Sequence, residues 1–284
     1  MSRTVRLGLG QIGSAPGNAE RNRELPVATA ARLFDDGAQI AILPELCMPW
    51  YSTDRDELAP HAETLSGPTV EAWRSLAVEG DGVIVGGLCE RDGDRFYNSA
   101  VAVDRTGVIG HYRKLHLFAS EKNTFTPGDL GLPVFDLPIG RIGLCICYDL
   151  RFVEVVRVLA LSGADLICVP TAWLPGFDSE KWDSEGLCPQ AHGAVLQANL
   201  SQVFIACASQ VGTFGEFEFL GSSLVASPFG KRVAGPMNGT DDELHGVTVD
   251  LDDVSKAKDR GALIRPRADR RTDVYGVLYD GTPL

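Results

Sequence analysis

The chain has 284 residues, 44% hydrophobic and 23% charged, with 38 acidic against 26 basic side chains and a formal net charge of −12. That mix excludes a disordered or fibrous chain, and the acidic balance argues against wrapping nucleic acid, which needs a basic footprint. No apolar run approaches the roughly 18 residues of a membrane-spanning helix, and glycines at 8, 10 and 13 interrupt the start of the chain before a signal-peptide core develops, so a cytoplasmic protein with no membrane association is expected.

Val5 to Leu9 is expected as a strand. Asn18 predicts the N-cap of a helix reaching about Asp36, with Gly37 as its stop. Gln39 to Leu43 is a second buried strand, ending at Pro44-Glu45. A helical stretch over about 69–78 leads into the strand Val83 to Gly87. Asn98 to Val103 and Val108 to Tyr112 pattern as a hairpin around Asp104-Arg105-Thr106-Gly107. Arg141 to Cys147 reads as an apolar strand, Arg151 to Leu161 as a helix and Asp165 to Val169 as the next strand. Pro189 to Asn199 is expected as a helix, and Val203 to Ala208 and Ser222 to Ala226 as strands. No linker, composition break or fixed-period repeat divides the chain. The alternation predicts one α/β domain over residues 1–284, with a polar C-terminal arm from about residue 250.

The seven cysteines, at 47, 89, 145, 147, 168, 188 and 207, are odd in number, and several sit in apolar runs. They read as reduced, buried thiols. No H-x-x-x-H or C-x-x-C spacing is present, so no metal site is expected. Gly8-Leu9-Gly10-Gln11-Ile12-Gly13 fits the G-x-G-x-x-G pattern of dinucleotide binding. Its context fails: Pro16 and Gly17 interrupt the helix that should begin at once, and the next strand-end acid, Glu45, lies well beyond the ~20-residue spacing of that fingerprint.

Three segments carry chemistry. In Gly143 to Phe152 an apolar strand runs to Cys147 and a helix follows. A thiol at that junction would sit near free backbone N–H groups and a positive helix end, which stabilise a thiolate or an oxyanion. The two-residue period would put Cys145 and Cys147 on one strand face, with Cys145 deeper in the core. A cysteine nucleophile needs a base, because a free thiol is mostly protonated at neutral pH. None of the five histidines, at 61, 111, 116, 192 and 245, sits at a compelling strand end, and His116, close to Lys114 in sequence, stays a candidate. Glu45, at a strand end where ligand sites gather in α/β sheets, is either such a base or a structural acid. Lys114, set among His111, Tyr112, Leu115 and Phe118, is either an oxyanion-binding cation or a surface lysine.

In this order the three segments resemble the nitrilase superfamily of carbon–nitrogen hydrolases, whose signature is a Glu-Lys-Cys triad. The resembling stretches are Leu43-Pro44-Glu45-Leu46 with Trp50-Tyr51 after it, Tyr112 to Phe118, and Gly143 to Phe152. Glu121 ahead of Phe125 to Asp129, Pro170-Thr171-Ala172-Trp173 and Gly221-Ser222-Ser223 fill the gaps, so the likeness runs from about Val5 to Val249. Departures are Gly193 to Asn199, which lacks the usual charged partners, Ser209 in place of an asparagine, and Val153-Glu154 in place of Pro-Glu.

The resemblance implies a four-layer αββα sandwich with two mixed β-sheets, often paired into a homodimer, with no metal and no organic cofactor. It implies Cys147 as nucleophile, Glu45 as base, and Lys114 with the Tyr148 backbone N–H at the oxyanion. Glu121 resembles the second glutamate, and Tyr51 and Trp173 the pocket walls. Tyr148-Asp149 after the nucleophile points to a small amide substrate, aliphatic or ω-carboxamide, cleaved through a thioester to acid and ammonia. An N-carbamoyl compound or a nitrile is the alternative. A non-catalytic protein on the same fold, or a dinucleotide-binding one, is the reading from a different class.

Overall fold

The computed structural model describes residues 3–15, 17–177 and 179–284. In the first part of the chain the elements are Thr4–Gln11 (β1), Ala19–Asp35 (α1), Ile40–Ile42 (β2), Arg55–Leu58 (α2), Pro68–Gly80 (α3), Val83–Asp92 (β3), Arg95–Asp104 (β4) and Gly107–Arg113 (β5). Then follow Val134–Leu137 (β6), Gly140–Leu144 (β7), Val153–Leu161 (α4), Leu166–Thr171 (β8), Pro189–Ser201 (α5) and Phe204–Ser209 (β9). Val211–Phe214 (β10), Phe217–Leu220 (β11), Leu224–Ala226 (β12), Arg232–Ala234 (β13), Glu243–Asp250 (β14) and Asp252–Lys258 (α6) complete the main elements.

Two six-stranded mixed sheets share one plan. The first has the order β14-β1-β2-β3-β4-β5 and the second β13-β12-β9-β8-β7-β6. In each, three central parallel strands are flanked by antiparallel ones. Parallel pairs need helical crossovers, which α1, α3, α4 and α5 supply. Strand periodicity then sorts the layers. Val5, Leu7, Leu9, Ile40 and Ile42 share a buried cluster with Ile142, Leu144, Leu166 and Phe204 of the second sheet. The alternate residues Ala41 and Leu43 join Ala30 and Leu33 of α1 and Val70 and Trp73 of α3. Helix, sheet, sheet and helix therefore stack in four layers, as expected.

Gly8 and Gly10 of the dinucleotide-like pattern serve this packing. A Cβ on Gly8 would stand 2.9 Å from Ala38 Cβ and 3.1 Å from Leu33 Cβ, and one on Gly10 2.5 Å from Thr29 Cγ2. They let α1 lie close on β1, so the motif is absorbed by the fold. Asn18 caps α1 by accepting from Arg21 N at 3.0 Å, as its short polar side chain favours.

Four features differ from expectation. The strand expected through Cys147 ends at Leu144, and Cys147–Arg151 forms a 3-10 turn before α4. Sequence reading misses β6, whose residues are only partly buried, and the β10–β11 hairpin. It also misses β14, an edge strand with five half-buried residues in succession that pairs antiparallel with β1. Beyond α6 the arm is tied down by Arg267, which donates to the Ala160, Ser201 and Gln202 carbonyls at the ends of α4 and α5.

Candidate active site

The ends of β2, β5, β7 and β8 deliver the site. After β2 the chain turns at Leu46, whose φ is 44°, and lies tightly on β3. A Cβ on Gly87 would stand 2.5 Å from Leu46 N and 2.7 Å from Glu45 Cα, so only glycine admits the loop. Glu45 N donates to Thr171 O of β8 at 3.3 Å. Gln210 Nε2 donates to Glu45 O at 2.7 Å and to Leu46 O at 3.3 Å.

Lys114 follows β5, and its backbone N donates to Asn98 O at 2.8 Å. Its Nζ lies 2.6 Å from Glu45 Oε1 and 2.9 Å from Glu121 Oε1, with all three side chains 0% exposed. Glu45 Oε1 also accepts from Asn98 Nδ2 at 2.7 Å. Glu45 Oε2 has no partner among the described residues. Glu121 further accepts from Tyr51 Oη at 2.9 Å and from Phe118 N at 2.9 Å. One ammonium thus sits between two buried carboxylates. Burial works against the Lys114 charge, but Glu121 and Glu45 overcome it and hold the ammonium above the ordinary lysine range. Burial, with Glu45 adding repulsion, raises the Glu121 carboxyl despite the pull of Lys114.

Cys147 begins the 3-10 turn with φ 44°, and Ala119, ahead of Glu121, has φ 45°. Left-handed backbone at non-glycine residues costs of order 1–3 kcal/mol and persists only where neighbours over-determine it. Around Cys147 the buried Asp149 does this. Its Oδ2 accepts from Ile146 N at 3.0 Å and Tyr112 Oη at 2.7 Å, and its Oδ1 from His116 N at 3.1 Å. His116 Nδ1 lies 2.8 Å from the same Oδ1, and the ring stacks on Phe152 at 3.6 Å. His116 therefore engages Asp149, and Asp149 joins the lysine loop to the cysteine loop.

The left-handed turn corrects two expectations. Cys147 does not share a strand face with Cys145, which lies fully buried in the core. Nor does a helix end lower its thiol, since α4 starts only at Val153. Burial and then Glu45 hold the Cys147 thiol well above its ordinary value, against the pull of Lys114 and the Ala172 backbone N–H.

Cys147, Glu121, Tyr51, Tyr148 and Trp173 line one cavity of about 40 Å³, closed by Phe118, Leu150, Leu174 and Phe177. Glu45 and Lys114 are not in this lining; they stand behind it, tied to Glu121 through Lys114 Nζ and close enough to act on the Cys147 thiol by their charges. Among the described residues no group of three or more His, Cys, Asp or Glu is placed to hold a metal ion.

The model of the carbon-nitrogen hydrolase family matches residues 6–259. The chain belongs to the carbon–nitrogen hydrolase family. It is 38% identical to a nitrilase of Pyrococcus abyssi over 218 residues, 76% of this chain and 78% of the relative. It is 33% identical to N-carbamoylputrescine amidase of Solanum lycopersicum, over 89% of each chain. Among solved structures it resembles the Nesterenkonia AN1 amidase of the nitrilase superfamily, in a cysteine-to-alanine variant. That match has a TM-score of 0.76 and 26% identity and covers 96% of each chain. Membership makes this an enzyme of the amidase and nitrilase type, which overturns the non-catalytic and dinucleotide-binding readings.

Sequence reading of this carbon–nitrogen hydrolase misses Asn98, Asp149 and Gln210 as parts of the site. Asn98 and Gln210 sit in apolar stretches, Asn98-Ser99-Ala100-Val101 and Ile205-Ala206-Cys207-Ala208-Ser209-Gln210. A polar side chain inside such a run must find a buried partner. That was the available signal, although it does not name the partner.

Proposed function

We propose that the chain is a thiol amidohydrolase that cleaves the carbon–nitrogen bond of a small carboxamide, aliphatic or ω-, giving an acid and ammonia. The observation that carries this reading is the asymmetry of Glu45. One carboxylate oxygen is tied to Lys114 and Asn98, and the other is buried without a partner in the site that holds Cys147. A protonated thiol needs a base, and that oxygen is the free acceptor.

Glu45 Oε2 takes the Cys147 proton as the thiol attacks the amide carbonyl. The carbonyl π pair moves to oxygen, and the oxyanion is met by Lys114 and the Tyr148 backbone N–H. The oxyanion collapses, the C–N bond breaks, and the proton held by Glu45 goes to the leaving nitrogen. Ammonia departs and a thioester remains. Water loses a proton to Glu45, attacks the thioester and releases the acid, and the proton returns to sulfur. Glu121 orients Lys114 and the amide, Tyr51 steadies Glu121 through its hydroxyl, and Trp173 forms a wall. No metal and no organic cofactor enters this route. The compact cavity and its aromatic lining support a short acyl chain. The similarity to N-carbamoylputrescine amidase favours an N-carbamoyl amine as the second reading.

The test is ammonia release from propionamide, butyramide, nitriles and N-carbamoyl amines, with intact-mass detection of an acyl adduct. Cys147→Ser is expected to abolish activity. Cys147 is half-buried while the other six cysteines are buried, so inactivating alkylation tracks one thiol. Full activity after Cys147 is alkylated would exclude the thioester route.

The same reading takes residues 1–284 as one cytoplasmic hydrolase domain that works as a homodimer. Among the described residues no helix is long and apolar enough to cross a membrane. Leu263, Val274 and Leu278 of the arm are 91%, 70% and 69% exposed, which supports burial against a second copy. Light scattering at twice the monomer mass is the expected result.

A further inference from the structure

Two polar atoms in the cavity wall are left over by this mechanism. Gln190, in the first turn of α5, is 6% exposed. Its Nε2 donates to the Leu174 carbonyl at 2.8 Å, while its Oε1 has no partner among the described residues. A carbonyl oxygen only accepts, so the amide nitrogen must be the end that faces Leu174, and the amide oxygen is the unengaged end. Trp173 is 1% exposed, and its indole Nε1–H also lacks a partner among the described residues.

Both residues line the cavity that holds Cys147. One presents a buried acceptor and the other a buried donor. Buried polar atoms are almost always paired, and an orphan in a binding cavity is completed by what binds there. Phe118, Leu150, Leu174 and Phe177 of the same lining have no side-chain group to complete either atom, and Arg151, also in the lining, lies over the Phe177 ring at 4.7 Å and is bonded to neither.

We propose that Gln190 and Trp173 select the acyl part of the substrate. Beyond the scissile carbonyl it carries a neutral group that donates and accepts at once, a hydroxyl or a second amide. Its O–H or N–H donates to Gln190 Oε1, and its oxygen accepts from Trp173 Nε1. A plain alkyl amide of equal length fills the same space and leaves both wall atoms unpaired, so it is the poorer substrate. This inference rests on the amidase reading and narrows its substrate class from any small carboxamide to a hydroxy- or carboxamido-substituted one.

The experiment compares amides of matched size at two chain lengths: pentanamide with 4-hydroxybutanamide, and butanamide with 3-hydroxypropanamide. At one length or both, kcat/KM is expected to favour the hydroxyl by about tenfold or more, the range that a lost buried hydrogen bond opens. Trp173→Phe keeps a ring and removes the donor, and Gln190→Met keeps the length and removes the acceptor. Each is expected to bring the paired amides towards parity, with the change in KM more than in kcat. Parity or an alkyl preference in the wild type at both lengths overturns the inference, whether or not a variant folds. Binding of the same pairs to Cys147→Ser, followed by calorimetry, separates the two readings. Tighter binding of the hydroxy amides without turnover of any amide by the wild-type enzyme would keep the recognition site and sink the amidase. Turnover with equal affinities for both members of each pair would do the reverse.

Discussion

Glu45→Gln is the most selective cut that this site allows. Glu45 Oε1 accepts from Lys114 Nζ at 2.6 Å and from Asn98 Nδ2 at 2.7 Å. A glutamine oxygen can keep both bonds. The new amide nitrogen then falls where Oε2 stands, an atom with no partner among the described residues to offend. The substitution removes the base and leaves Lys114 held by Glu121 at 2.9 Å. General-base catalysis is typically worth 10²–10⁴-fold, so kcat/KM should fall by about that factor, or roughly 3–5 kcal/mol of barrier.

The pH dependence carries a second signature. Burial and Glu45 hold the Cys147 thiol above its ordinary value. Without the base, thiolate must form by equilibrium loss of a proton, and its fraction rises about tenfold per pH unit below the thiol pKa. Activity of Glu45→Gln should therefore climb with near-unit slope from about pH 6 to about pH 9, and the wild-type profile should lack that slope. A coupled ammonia assay reads both quantities, and a melting temperature near that of the wild type certifies the fold. A variant that retains more than about a tenth of wild-type activity, or one whose profile is flat across that interval, would refute Glu45 as the base.

Lys114→Ala removes the charge between two buried carboxylates. Loss of one oxyanion donor costs about 2.7–4 kcal/mol of barrier, and the uncompensated acids cost about 3–5 kcal/mol of stability. An active, wild-type-stable Lys114→Ala would contradict both roles. Asp149→Asn turns an acceptor towards either Ile146 N–H or His116 N–H into a donor, leaving a buried N–H unmet at about 2–3 kcal/mol. The melting temperature should drop by roughly 5–10 °C, with loss of activity as Cys147 is freed, and an unchanged melt would show that the clamp is dispensable. Burial works against the Glu90 carboxylate, but hydrogen bonds from His111, Arg113 and Ser99 outweigh it and lower its pKa from 4.5 to about 2. That stabilisation, about 3 kcal/mol, is complete above the unfolded value and fades as pH falls towards the folded one. The stability gap between wild type and Glu90→Gln in urea should accordingly narrow between pH 6 and pH 3, and a constant gap would reject the linkage.

The central strands were legible because their apolar runs are continuous. Ile40 to Leu43 and Leu166 to Val169 are buried on both faces, and such strands need no alternation to be recognised. The strand end that carries Glu45 followed from the first of these runs, and the one ahead of Lys114 from the hairpin strand Val108 to Tyr112. The end at Cys147 did not. The apolar run continues through Cys145 and Ile146, both fully buried, so hydrophobicity passes two residues beyond the last ladder partner, Leu144. What stops the strand is Asp149 reaching back to Ile146 N, a long-range arrangement completed by Tyr112 and His116 from a different sheet. Local pattern cannot express such a partner. β14 was lost for the opposite reason: it pairs at a sheet edge, its residues are half-buried, and its place is fixed by β1, more than two hundred residues away in sequence.

The two carboxylates make sense as one charge-handling device. In a dry site the expensive event is a change in charge, not its relocation. Passing the thiol proton to Glu45 moves one negative charge from carboxylate to sulfur, and attack moves it on to the carbonyl oxygen, with Lys114 nearby throughout. Glu121 supplies the reason that Lys114 can wait there as an ammonium. With Glu45 alone as its partner, the lysine would face a neutral acid at the moment when the oxyanion needs its charge. The second carboxylate, fixed by Tyr51 and Phe118 N, remains when the first takes the proton. On this argument Glu121→Gln should damage the acylation step more than amide binding. Burial and Glu45, the larger causes, still raise the Cys147 thiol in that variant while the smaller push from Glu121 is gone, so alkylation of Cys147 in the resting enzyme should be no slower than in the wild type, and a slower rate would refute this charge balance.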